Sequence, residues 1–283
     1  MTFLGCGIGY RRPYRAALLD LASARLAEGE VETRTPLVLE IIPDHFFSDP
    51  SSLEAIASAY PTVFHEVGLS MGTSGIARAV DRAMIDRIKG LLQIAKPALI
   101  SDHVAITRSP SGIDLGHLCS VWHTRETLAL LCDRIRLLQD AFQLPVAVEN
   151  IAAPFVIPNA DMTEPELFCE LVNATGCGML LDLSNLLANA HNFGFDPAVW
   201  LAQYPLEAVV QVHLAGGVIH GGVWVDTHSE PVGDASYHLL PRLRARATKL
   251  ATIIVERDER LPQLSELINE ARHAERIWTS AVT

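Results

Sequence analysis

A closed (β/α)8 TIM barrel, class α/β, is the fold this sequence predicts, on three observations. Eight short apolar runs alternate with eight amphipathic stretches. Alternation of that kind gives parallel strands joined by right-handed crossovers. The length of 283 residues suits a barrel, which typically takes about 250, and eight repeats close on themselves more naturally than they form an open sheet. No linker or shift of composition divides the chain, so residues 1–283 are read as one barrel domain with its chemistry at the C-terminal mouth.

The apolar runs are LGCGIGY (4–10), PLVLEII (36–42), VFHEVGLS (63–70), PALISDHVAI (97–106), PVAVENI (145–151), GMLLDLSN (178–185), AVVQVHLAG (208–216) and ATIIVER (251–257). They are rich in Val, Ile and Leu, as strands buried on both faces require. The helices are read from their ends. PYRAALLDLASARLAEG opens with Pro13 and closes with Gly29, the residues that helix termini favour. DPSSLEAIASAY opens on an N-cap candidate, Asp49 or Ser51. The other helices begin near Gly75, Thr124, Thr163, Asp196, Ser236 and Pro262.

Composition narrows the class. Apolar residues make up 49% and charged residues 19%, enough for a large core and unlike a disordered chain. A net charge of −11 argues against nucleic acid as the main partner, because phosphate binding needs a basic face. Cys6, Cys119, Cys132, Cys169 and Cys177 form no C-x-x-C pair and read as reduced thiols. No secretory signal and no run long enough to cross a bilayer is found, so the expectation is a cytoplasmic protein with no membrane partner.

In such barrels the active site lies at the C-terminal ends of the strands. Those ends carry Glu40, His65, Asp102–His103, Glu149–Asn150, Asp182 with Asn185, His213, then Asp226 and His228 from the loop after strand seven, and Glu256 with Asp258. One strand histidine alone is ordinarily a satisfied core residue, and one strand-end Asp ordinarily caps a helix. The set is harder to dismiss. Glu149, Asp182, Asp226 and Glu256 crowd four carboxylates into one mouth, which disfavours their ionisation unless cations neutralise them. Arg257 is the only cation at that ring of positions, and strand alternation turns it away from Glu256. Histidines among carboxylates are the usual ligand mixture for zinc or iron. The spacing divides into three candidate sites: His65, His103 and Glu149; then Glu149 again, as a bridge, with Asp182, His213 and Glu256; then Asn185, Asp226 and His228.

The ligand order resembles that of endonuclease IV and the xylose-isomerase-like barrels. A closer resemblance is to the multinuclear non-heme iron-dependent oxidative (MNIO) enzymes. It is carried by GIGYR (7–11), EIIPDHF (40–46), HEVGLS (65–70), SDH (101–103), VEN (148–150), LDLSN (181–185), VHLAGG (212–217), DTHSEPV (226–232) and VERD (255–258), along nearly the whole chain. Two departures stand out: Ser229 where many relatives have Asp, and Asp44–His45 in place of a common Glu–Asn pair.

The resemblance implies a xylose-isomerase-like barrel holding two to three irons of mixed Fe2+/Fe3+ valence, with O2 as co-substrate. It implies His65, His103, Glu149, Asp182, Asn185, His213, Asp226, His228 and Glu256 as ligands, with Glu149, Asp182 and His228 catalytic. The implied substrate is a cysteine of a ribosomally synthesised precursor peptide. Products in the family include oxazolone–thioamide pairs, as in methanobactin maturation, and excision of the cysteine β-carbon, as in the 3-thiaglutamate pathway; excision is the favoured subtype. GIGYR, GHLCSVWH (116–123) and GGVIHGGVW (216–224) either shape a peptide channel or are ordinary glycine-rich loops. A zinc hydrolase resembling endonuclease IV is the alternative, weakened by the acidity and by Asn185 where that family has a histidine. A sugar isomerase lacks its strand-end Lys, and a non-enzymatic metal scaffold leaves an intact ligand set unused. The last predicted helix ends near Trp278, so a separate leader-peptide-binding protein is the expected partner.

Overall fold

The computed structural model describes residues 1–27, 37–74, 82–153 and 155–280. Eight parallel strands close a barrel: β1 (Gly5–Gly9), β2 (Val38–Ile41), β3 (Thr62–His65), β4 (Ile100–His103), β7 (Val146–Glu149), β8 (Gly178–Asp182), β9 (Val209–Leu214) and β12 (Thr252–Val255). Closure is made by β1 against β12, with Gly5 opposite Thr252 and Ile8 opposite Val255. At Gly7 the strands approach so closely that a Cβ would lie 2.0 Å from the Val38 carbonyl oxygen.

The helices are α1 (Arg15–Ala27), α2 (Ser51–Ala59), α3 (Arg82–Ala95), α4 (Arg125–Phe142), α5 (Glu164–Thr175), α6 (Leu183–Phe193), α7 (Pro197–Leu201), α8 (Asp234–Leu243) and α9 (Leu264–Thr279). Thr124 caps α4, and Thr163 with Glu166 forms a reciprocal capping box on α5, as their sequence positions predict. Gly29 and the expected helix start near Gly75 lie outside the described residues. Among the described residues no helix is long and apolar enough to cross a membrane.

Two readings of the sequence change. The run GMLLDLSN is strand only as far as Asp182. That residue accepts hydrogen bonds from the Ser184 and Asn185 amides and so immediately starts α6, an additional helix, while the helix expected near Asp196 is α7, which Asp196 caps. The glycine-rich segments after β4 and β9 are two β-hairpins: β5 (Ala105–Arg108) with β6 (Asp114–Ser120), and β10 (Gly216–His220) with β11 (Val223–Glu230). β11 carries Asp226 and His228 back to the mouth.

The barrel interior is layered. Val38, Val63, Leu99, Ala147, Leu180, Val210, Ala251 and Ile254 form one buried apolar cluster, drawn from six strands and from the residues that lead into β4 and β12. Two residues further along the same strands stand Glu40, His65, Glu149, Asp182 and Glu256, and four beyond Leu99 stands His103. The period-two rule that builds the apolar plug therefore also aims the polar ring into the mouth.

Candidate metal centre

Two of the three sites expected from spacing are assembled. The ligand atoms of His65, His103 and Glu149 lie within 4.8 Å of one another, and so do those of Glu149, Asp182, His213 and Glu256. Glu149 belongs to both. Its Oε2 is 3.1 Å from His103 Nε2 and 3.4 Å from His65 Nε2, while its Oε1 is 3.1 Å from His213 Nδ1. Glu256 Oε2 is 2.9 Å from the same His213 nitrogen. These side chains are nearly or completely buried.

The third group sits at the rim. Asp226 Oδ1 is 3.0 Å from His228 Nε2. His228 has a left-handed backbone, φ 47°, so β11 bends there, yet Asp226 and His228 still converge. Asn185 reaches inward from the first turn of α6. Its Nδ2 donates to the Asn150 carbonyl at 3.0 Å, and Asn150 in turn brackets Asp182, accepting from its amide at 2.9 Å and donating to its carbonyl at 3.0 Å.

Whether this ring fits metal ions can be judged from its leftover atoms. Asp182 Oδ2 and Asn185 Oδ1 are buried atoms without a hydrogen-bond partner, and Glu149 Oε2 and His228 Nε2, equally buried and without a well-formed hydrogen bond, face only other members of the ring. Each belongs to a side chain whose other polar atom is committed: Asp182 Oδ1 to the α6 cap, Asn185 Nδ2 to Asn150, and His228 Nδ1 to Asp258 Oδ2 at 2.9 Å. An unpaired buried acceptor costs about 1–3 kcal/mol, and unpaired acceptors converging on one mouth are what a cation-binding site requires. The donor set of carboxylate, imidazole and amide oxygen suits iron, manganese or zinc. Outer partners fix the rings: Ser101 Oγ is 2.9 Å from His65 Nδ1, and Glu40 Oε2 is 2.7 Å from His213 Nε2.

The electrostatics point the same way. Burial, then Asp226 and Glu149, push the Asp182 carboxyl well above its usual range. Burial pulls the His213 imidazolium down, but Glu256, Glu40 and Glu149 lift it well above its ordinary value. For His103 burial is likewise outweighed, by Glu149 and Asp102, and its pKa rises to about 9. Without cations the ring is therefore balanced by protons on imidazoles and carboxyls. A metal ion entering the ring would have to displace those protons, which would make its affinity rise with pH.

Several residues of the site carried no clear sequence signal. Glu40 was visible as a strand-end acid, but its ligand atom groups with His65 and His213, which its position alone did not indicate. Gln211 donates to Glu40 from the layer below. Arg11 reaches Asp258, which holds His228, so a cation does approach the rim from GIGYR. Arg257 turns outward as expected and pairs with Glu270 of α9 at 3.3 Å. Asp102 stays out of the ring and accepts from the Leu69 and His103 amides.

Similarity to known proteins agrees with this picture. The chain is 32% identical over 284 residues to a UPF0276 protein of Caulobacter vibrioides, covering 98% of this chain and 95% of that one. Among solved structures, 3-keto-D-glucoside 4-epimerase from E. coli superposes with a TM-score of 0.59 at 13% identity, over 99% of this chain and 100% of that one. Endonuclease IV from Thermus thermophilus superposes with a TM-score of 0.57 at 16% identity, over 97% of each. At such identities these structures establish the xylose-isomerase-like barrel and nothing about the reaction. Family-level likeness is more specific, for the model describing the RiPP precursor modification enzymes MbnB/TglH/ChrH matches residues 5–279. A match across nearly the whole chain places it in that MNIO family of peptide-modifying enzymes.

Proposed function

We propose that this protein oxidises a cysteine residue of a ribosomally synthesised precursor peptide, using a cluster of two to three irons and O2. The observation that carries the reading is the convergence of buried, unpartnered ligand atoms around Glu149, in a chain of a RiPP-modifying family. His65, His103 and Glu149 would hold one ion. Glu149, Asp182, His213 and Glu256 would hold a second, and Asn185, Asp226 and His228 a third. When bound, such a cluster supplies redox chemistry and open positions for a soft thiolate and for O2, which zinc lacks the redox capacity to match.

The chain's own groups set the geometry. Glu149 couples two sites through its two oxygens. Asp182 directs Oδ2 inward because Oδ1 is fixed by the helix cap. His228 stands at the rim with its Nδ1 held on Asp258, where an entering substrate would meet it first. Excision of the cysteine β-carbon is the favoured outcome among the chemistries of this family. Protein purified without oxygen is expected to contain two to three irons per chain and little zinc. Elemental analysis with Mössbauer spectroscopy reads both; stoichiometric zinc in active protein would overturn the iron assignment and favour a hydrolase.

Peptide capture is proposed to need a second, leader-binding polypeptide, because binding energy remote from the reacting residue is what orients a loosely held substrate. A closed barrel offers no edge for an added strand, but the two hairpins do have free edges. Titrating a labelled precursor peptide against the protein alone, and then with the candidate partner, separates these routes. The expected result is weak binding alone and tighter binding with faster turnover in the mixture; full turnover without the partner would assign capture to the hairpins.

A further inference from the structure

Beside the ligand ring lies a cavity of about 520 Å³, within the range of sites that hold small organic groups. Its wall begins where the ring ends. Val104 follows His103, Ile151 follows Asn150, and Asn189 lies about one turn along α6 from Asn185. The far wall is aromatic: Phe195 stacks on Trp200 with ring centroids 4.5 Å apart, and Phe168 packs edge-on against Tyr204. At the lip Phe155 and Val156 are 63% and 70% exposed. The charged groups on the wall are the carboxyls of Asp161, Glu164 and Glu166, and no Lys or Arg stands among the described lining residues. Glu164 hydrogen-bonds the Tyr204 hydroxyl, and burial lifts its carboxyl to about 7.

We propose that this cavity binds an aromatic side chain of the substrate peptide, from a residue neighbouring the one presented to the ligand ring. The inference rests on the peptide-modifying reading above and specifies what that peptide must carry. A peptide crossing the mouth with one residue over Glu149 has this pocket immediately to one side, past Val104 and Ile151. An aromatic group can bury about 150–250 Å² against such a wall and stack on its rings. Acidic residues are repelled by Asp161 and Glu166, and Glu164, lifted to about 7, adds part of a charge at neutral pH, while no Lys or Arg among the described lining residues attracts them. The pocket therefore selects by shape and excludes by charge.

The test uses probes without a thiol, so that it is independent of the cysteine reaction. N-acetyltryptophanamide and N-acetylaspartate amide are titrated by calorimetry into the protein as purified and after metal removal. Saturable binding of the tryptophan probe with a dissociation constant of about 1 mM, in both forms, with no heat from the aspartate probe, is expected. Ala160→Trp fills the cavity from its exposed side and Trp200→Ala removes its wall; each should weaken the probe by at least about tenfold. The second variant keeps the test decisive should the first fold poorly, which circular dichroism would reveal. Equal binding of the two probes, no saturable binding of the tryptophan probe, or binding untouched by Trp200→Ala would overturn the proposal. Probe binding without turnover of any cysteine peptide keeps the pocket and sinks the reaction; turnover without probe binding does the reverse.

Discussion

Glu149→Gln is expected to empty two metal positions at once, where His65→Ala empties one. The carboxylate faces His65 and His103 with Oε2 and His213 with Oε1, at 3.1–3.4 Å. A glutamine offers one neutral oxygen and, on its other side, a donor that repels a cation. The loss in affinity should exceed the roughly 10–100-fold typical of changes to an outer-shell partner. The fold should survive, because the Glu149 backbone carbonyl still accepts from the Val104 amide at 2.9 Å, and because a glutamine amide can still hydrogen-bond the imidazoles that the carboxylate faces. Metal content per chain, measured beside the thermal unfolding of the stripped protein, checks both halves. Full iron content and activity in Glu149→Gln would show that the carboxylate bridges nothing.

The barrel and most of the ring were legible in the sequence for one reason. Parallel strands buried on both faces read as apolar runs, and a polar residue at the end of such a run has few places to point. His65, His103, Glu149, Asp182, His213 and Glu256 all follow from that geometry. What stayed hidden depends on partners distant in sequence. Glu40 reads as one more strand-end acid until β9 brings His213 to 2.7 Å from it. Arg11 reads as part of a glycine-rich turn until β12 delivers Asp258, 247 residues later. The hairpins were hidden because Gly216, Gly217, Gly221 and Gly222 resemble loop composition; only the pairing of His220 with Val223 shows a two-residue Gly-Gly turn. The start of α6 at Asp182 was hidden because that residue does two things at once: it ends an apolar run with one oxygen turned to the ring, and its Oδ1 accepts from the Ser184 and Asn185 amides.

That double role of Asp182 makes Asp182→Asn the variant with opposite effects on the two states of the protein. Asparagine caps a helix about as well as aspartate, so α6 should keep its start through Ser184 and Asn185. The atom turned toward the ring, however, changes from a charged acceptor to a donor, and binding at the Glu149–His213–Glu256 position should fall by well over tenfold, as for any lost charged ligand. In the stripped protein the sign reverses. The Asp182 carboxyl is held well above its usual range by burial, Asp226 and Glu149. The folded state therefore binds more protons than the unfolded state, and this group's contribution to stability is complete below its ordinary pKa and lost as pH rises through the raised one. A permanently neutral asparagine has no such loss. Metal-free Asp182→Asn should match the parent protein near pH 4 and exceed it by a growing margin in melting temperature as pH rises toward 8. Asp182→Ala removes cap and ligand together and should lose about 1 kcal/mol relative to Asp182→Asn at every pH. Melting curves of the three stripped proteins from pH 4 to 8 test the argument: a constant difference between the parent and Asp182→Asn would mean that the carboxyl titrates normally, and that the ring is not the crowded anionic site from which its metal affinity is inferred.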